Sequence, residues 1–89
     1  MKRVDFDMDE VGLETAIMEC LEHARTEHPY FAHGKYEALG VVLAEVDELI
    51  HAVEHESDER ALNEALDVVV TAMRFANREY EHGGRRDHR

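Results

Sequence analysis

The stretch Leu39-Gly40-Val41-Val42-Leu43-Ala44-Glu45-Val46-Asp47-Glu48-Leu49-Ile50-His51-Ala52-Val53 decides the fold class. Leu39, Val42, Leu43, Val46, Leu49, Ile50 and Val53 recur every three to four positions, the period of one helix face. A strand needs strict alternation, which neither this stretch nor any other part of the chain offers. The spacing predicts a helix over about residues 35–54. Beyond it, Glu54-His55-Glu56-Ser57-Asp58 is a polar break. Ser57 suits an N-cap, and Asp58 and Glu59 oppose the dipole of a following helix. That helix is expected over about 58–81, with Gly83-Gly84 ending it. Upstream, the lone proline, Pro29, lies in an aperiodic connection, His28 to Gly34. Before the connection, Asp9 can cap a helix over about 10–27, which carries Leu13, Ile17, Cys20, Leu21 and Ala24 on one stripe. Gly12 in its first turn weakens the start slightly. The fold class is all-α: one domain over residues 1–82 with three main helices, and a basic tail over 83–89.

Apolar breadth points to assembly. Between Ala61 and Ala76, eleven of sixteen residues are apolar, more than one stripe requires. Val41 and Ala52 fall off the main stripe of the second helix, and Val68 and Phe75 off that of the third. Three short helices cannot bury all of this, so a homodimer or homotetramer completing a four-helix-bundle-type core is expected.

Charge narrows the partners. The net charge is −11, and residues 1–82 carry 7 Lys+Arg against 20 Asp+Glu. Such a body repels the phosphates of polymeric nucleic acid, whose binding depends on Lys and Arg. No apolar run approaches the roughly 20 residues that span a bilayer, and Met1 to Asp7 lacks the core of a signal peptide. The single cysteine excludes an internal disulfide and suits a reducing, cytoplasmic setting; Cys20 itself reads as a buried thiol.

Four acids carry the chemistry: Glu45 and Glu48 on the second helix, Glu64 and Asp67 on the third. Residues three apart share a helix face. Two such helices packed antiparallel bring four carboxylates together, a charge density that favours a divalent cation with hard oxygen ligands, Mg²⁺, Mn²⁺ or Ca²⁺. At about 100° per residue, Val41 and Ala52 fall angularly between Glu45 and Glu48. Positions 49 and 52, where a solvated pair would carry basic partners, are Leu and Ala. On the third helix, Glu64 and Asp67 share a stripe with Arg60, Thr71, Arg74 and Arg78. Helix geometry makes Lys35, Arg74 and Arg78 candidates for phosphate contact.

The ordered pattern Glu45-x-x-Glu48, then Glu64-x-x-Asp67-Val68-Val69, resembles the signature of the MazG-like all-α nucleotide pyrophosphohydrolases. Tyr36 to Leu49 is similar to the helix bearing the first pair in that family, and Leu62 to Val69 to the helix bearing the second. The stretch Phe31 to Leu49 further resembles short phage-associated or prophage-type members. The resemblance implies cleavage of a nucleoside triphosphate, ribo- or deoxyribo-, to a monophosphate and pyrophosphate. It implies Mg²⁺, with Mn²⁺ as a substitute, held by Glu45, Glu48, Glu64 and Asp67, and Glu45 as the acceptor of the water proton. Many family members carry a glutamate directly before the first pair; here that position is Ala44. If that glutamate serves water activation or a second metal, the chain binds metal and turns over slowly or not at all.

Two other readings remain. Glu45, Glu48 and His51 resemble the Glu-x-x-His element of di-iron carboxylate bundles, which need a second such element; only a symmetric partner copy could supply it. Alternatively, the acidic body is a non-catalytic interaction module for a basic partner. His23, His28, His33, His55, His82 and His88 read as surface groups without a shared metal spacing. Tyr30, Phe31 and Tyr36 suit either a base-stacking role or core and interface packing.

Overall fold

A computed structural model describes residues 8–81 and is all-helical, with no strand among the described residues. Helix α1 spans Glu10–Glu27, α2 Gly34–His55 and α3 Asp58–Ala76, followed by a 3₁₀ turn at Glu79–Glu81. The caps follow from local chemistry. Asp9 accepts the Gly12 N–H at 2.8 Å and Ser57 accepts the Arg60 N–H at 3.2 Å, each quenching an orphan donor of the first turn. At the start of α2, His33 caps with no side-chain bond. Glu37, in the first turn, instead reaches back four residues and accepts the His33 N–H at 2.7 Å, satisfying an orphan donor at the helix start. The Tyr30 hydroxyl donates to the same carboxylate oxygen. Those two donors hold the Glu37 carboxyl below its ordinary value, Tyr30 first. Gly34 opens α2 at φ +82°, a left-handed conformation that costs glycine nothing.

The predicted third helix is too long by five residues. It stops at Ala76, Asn77 caps it, and Arg78 turns through φ +57°. The cause is Glu79, whose side chain is fully buried. Its carboxylate accepts Arg25 Nε at 3.0 Å and Nη2 at 2.5 Å, Arg74 Nε at 2.8 Å and Asn77 Nδ2 at 3.0 Å. In an unbroken helix, residues five apart point about 140° away from each other, so Glu79 could not meet Arg74. The chain breaks to make the pair. Gly83-Gly84 and the basic tail lie outside the described residues.

Arg74 extends this knot. It is 3% exposed and donates Nη1 to the His28 carbonyl at 3.0 Å and Nη2 to that of Pro29 at 3.3 Å. Its guanidinium lies 4.9 Å from the Phe31 ring centroid. The ends of α1 and α3 and the connection between α1 and α2 thus meet at one ionic centre. Apolar packing surrounds it. Cys20 and Leu21 of α1 pack on Leu66 and Val70 of α3, supported by Ile17, Ala24 and Met73. Phe31, Ala32 and Ala38 form a second cluster with Val41, Phe75 and Tyr80. Helices α2 and α3 pack antiparallel across the two-residue corner Glu56-Ser57, while α1 lies along α3 and leaves α2 open on that side.

The orientation of α2 departs from the expectation drawn from its widest apolar stripe. The face turned inward is that of Ala38, Val41 and Ala52, with Ala38 and Ala52 buried. Leu39, Leu43, Ile50 and Val53 are 47–66% exposed. Small side chains at 38 and 52 let α2 approach α3 closely, and Glu45 and Glu48 lie along the same inner side.

Candidate metal centre

Glu45, Glu48 and Glu64 converge where α2 crosses α3: one carboxylate oxygen from each lies within 4.8 Å of the other two. Glu48 is exposed, Glu45 half-buried, and Glu64 6% exposed. Two unit negative charges at such a distance repel by roughly 3 kcal/mol at an effective dielectric of 20. Three hard oxygen donors with no competing thiol or imidazole among them fit Mg²⁺ or Mn²⁺.

Asp67, one turn beyond Glu64, sits outside this group of three. With Glu45 it lines a crevice of about 480 Å³ bounded by α1, the 28–33 connection, α2 and α3. His23, His28, Tyr30, Phe31 and Thr71 line it as well. The Thr71 hydroxyl is turned back onto the Asp67 and Val68 carbonyls, 3.1 Å from each. On the other side of the three acids, Asp47, Glu48, His51, Glu56, Arg60 and Glu64 enclose a groove of about 280 Å³. Glu45 belongs to the crevice, Glu48 and Glu64 to the groove, so the acids stand between two cavities.

The basic residue beside the acids is Arg60, which was not among the three cations expected to meet phosphate. Its Nη2 donates to Glu64 Oε2 at 2.9 Å and its Nε to Glu56 Oε1 at 3.0 Å. The Glu56 bond, and then the nearby Glu56 and Glu64 charges, raise its pKa above the usual arginine value. The signal was present as i, i+4 spacing on both sides, Glu56 to Arg60 to Glu64. Of the three expected cations, only Arg74 lines the crevice. Three of its five N–H donors are spent within the fold. Lys35 lies about three turns before Glu45, with Nζ 5.6 Å from the Tyr36 ring centroid. Arg78 is exposed beyond the end of α3, 3.7 Å from Glu81. Neither Lys35 nor Arg78 lines the crevice or the groove.

His51, the third member of the di-iron pattern, pairs with Glu56 at 3.4 Å and does not join Glu45 and Glu48. Phe31 is a core residue, Tyr30 borders the crevice, and Tyr36 is exposed. No described helix is long and apolar enough to cross a membrane. Compared with known proteins, the chain matches no family model, no curated sequence and no solved structure.

Proposed function

We propose that this chain is a Mg²⁺-dependent nucleoside triphosphate pyrophosphohydrolase. The observation that carries the reading is the convergence of Glu45, Glu48 and Glu64 at the α2–α3 crossing, with Asp67 facing the same crevice as Glu45. Mg²⁺ or Mn²⁺ bound there would supply charge neutralisation for the phosphates and for the developing pyrophosphate. Glu45 borders both the acidic cluster and the crevice, the place from which a carboxylate can accept the proton of an attacking water. The crevice volume is within the range of small-molecule sites, and its mix of aromatic, imidazole and hydroxyl groups suits a nucleoside. A pyrophosphate-release screen over canonical and damaged nucleotides, with Mg²⁺ and with Mn²⁺, tests the proposal. Release from none of them would overturn it.

Metal affinity can be checked without turnover. MgCl₂ at ten times its dissociation constant is expected to add about 1.4 kcal/mol. For a chain of this length that raises Tm by roughly 6–11 °C, and Glu64→Gln should abolish the rise. A melting curve insensitive to both Mg²⁺ and Mn²⁺ would count against the centre.

The assembled form in this reading is a homodimer or homotetramer. Leu39, Leu43, Ile50 and Val53 project from α2 into solvent, and Leu39 and Val42 border an apolar groove with Ala72 and Phe75. A second copy laid on this face covers apolar side chains that are otherwise exposed, each contributing about 1.5–3 kcal/mol when fully buried. Sedimentation equilibrium is expected to give a multiple of the 10.3 kDa chain mass. Leu43→Glu should shift it to the single-chain value.

A further inference from the structure

We infer that Arg60 is a phosphate-contact residue of the α2–α3 site, held on Glu56 and Glu64 until a divalent cation takes the Glu64 carboxylate. This deepens the reading of Glu45, Glu48 and Glu64 as a Mg²⁺ centre and rests on it. Among the described residues, Arg60 is the only guanidinium or ammonium group lining the groove of Asp47, Glu48, His51, Glu56 and Glu64. Its Nη2 donates to Glu64 Oε2 at 2.9 Å and its Nε to Glu56 Oε1 at 3.0 Å. Glu64 is also one of the three converging acids, so the guanidinium and a divalent ion compete for one carboxylate. Their side chains differ sharply in freedom: that of Arg60 is 54% exposed and that of Glu64 only 7%. The acid is fixed in the fold, and the base can move.

Its position favours the exchange. Arg60 lies in the first turn of α3, three residues after the N-cap Ser57, where the helix dipole disfavours a cation and favours an anion. With Glu64 engaged by a metal, only Glu56 still holds it, in a pair open to solvent that contributes little. The planar fork of donors is then available to two phosphate oxygens. Four carboxylates line the same groove, so a bare anion is repelled. Phosphate is admitted only as its Mg²⁺ complex, because the ion reverses the local field. Glu45 lines the crevice, and Glu48 and Glu64 line the groove. The assignment therefore orients the substrate, with the nucleoside in the crevice and the departing pyrophosphate beside Arg60.

The test uses inorganic pyrophosphate, titrated calorimetrically into the full chain in saturating Mg²⁺ and again in EDTA. Mg²⁺ affinity is measured separately, without phosphate. Binding of pyrophosphate is expected in Mg²⁺ and not in EDTA. Arg60→Gln should bind Mg²⁺ roughly two- to fivefold more tightly, since the ion no longer displaces a surface ion pair. The same variant should bind pyrophosphate at least about tenfold more weakly. A merely structural ion pair would not move the two affinities in opposite directions. Arg60→Lys, which keeps the charge without the fork, should recover part of the pyrophosphate affinity. Circular dichroism checks that the helices are intact in both variants. No Mg²⁺ uptake by the wild type would remove the centre and this role together. Mg²⁺ uptake without pyrophosphate binding, equal pyrophosphate affinity in Arg60→Gln, or weaker Mg²⁺ binding in that variant would each overturn the role of Arg60 alone.

Discussion

Replacing Glu79 by glutamine is expected to destabilise the fold by about 3–5 kcal/mol, the usual consequence of removing one partner from a buried ion pair. Glutamine keeps the volume but removes the charge that Arg25 and Arg74 share. Arg74, 3% exposed, would be left as a buried cation facing carbonyls and a neutral amide. In a chain of this size Tm should fall by at least about 12 °C, measured by thermal melting under two-state conditions. A double variant, Arg74→Met with Glu79→Leu, should lose less than the sum of its parts, because the buried Arg74 charge goes with its partner and only Arg25, which keeps Glu22 at 3.9 Å, is left without the Glu79 carboxylate. An unchanged Tm in Glu79→Gln would show that the knot contributes nothing to stability.

The same residue sets an acid limb. Burial alone would raise the Glu79 carboxyl, but the Arg25, Asn77 and Arg74 hydrogen bonds outweigh it and hold the group below the ordinary glutamate value. A depressed native pKa means that the unfolded chain binds the proton first. The stabilisation is therefore complete above about pH 5, given an unperturbed glutamate pKa of about 4.3. It is lost as pH falls through that value toward the lower native one. Stability of Glu79→Gln should show a shallower decline over this window than wild type.

Glu48→Gln and Asp67→Asn are expected to remove pyrophosphate release while leaving the helical fold. Loss of an outer-shell partner alone costs about 10–100-fold at metal sites, so loss of a direct ligand should reduce turnover by at least about a hundredfold. The two variants probe opposite sides of the centre. Glu48 lines the groove that holds Arg60, and Asp67 lines the crevice opened toward α1. If only Asp67→Asn lost turnover, the reaction would be confined to the crevice and Glu48 would be excluded as a ligand. Full activity in both variants would sink the proposed enzyme. Ala44, exposed on α2, bears on rate more than on binding: a low wild-type turnover with an intact Mg²⁺-induced rise in Tm is the pattern its missing carboxylate predicts.

Local pattern was enough for what local physics decides. The starts of α1 and α3 follow from Asp9 and Ser57. The meeting of Glu45, Glu48 and Glu64 follows from i, i+3 spacing on two helices joined by a two-residue corner. What escaped the sequence depends on partners far along the chain. Arg25 and Glu79 are 54 residues apart, and no periodicity announces that their pairing ends α3 early. Arg74 shares a stripe with Asp67, yet the carbonyls of His28 and Pro29 decide its use. On α2 the broadest apolar stripe looked like the core face, but Ala38 and Ala52 hold the inner side. Close helix approach favoured small residues over large ones.

The ionic knot also has a meaning in time. Its acid is the last of its members to be synthesised, and its first member, Arg25, must wait 54 residues for it. At about 5–20 residues per second, a nascent chain carries α1 for roughly 3–11 s before Glu79 exists. Leu66 and Val70, the buried α3 residues on which Cys20 and Leu21 pack, arrive only late in the same interval. The nascent polypeptide therefore carries α1 before any of its α3 partners exist, and Leu66 and Val70, then Glu79, must be added before that helix is fully fastened.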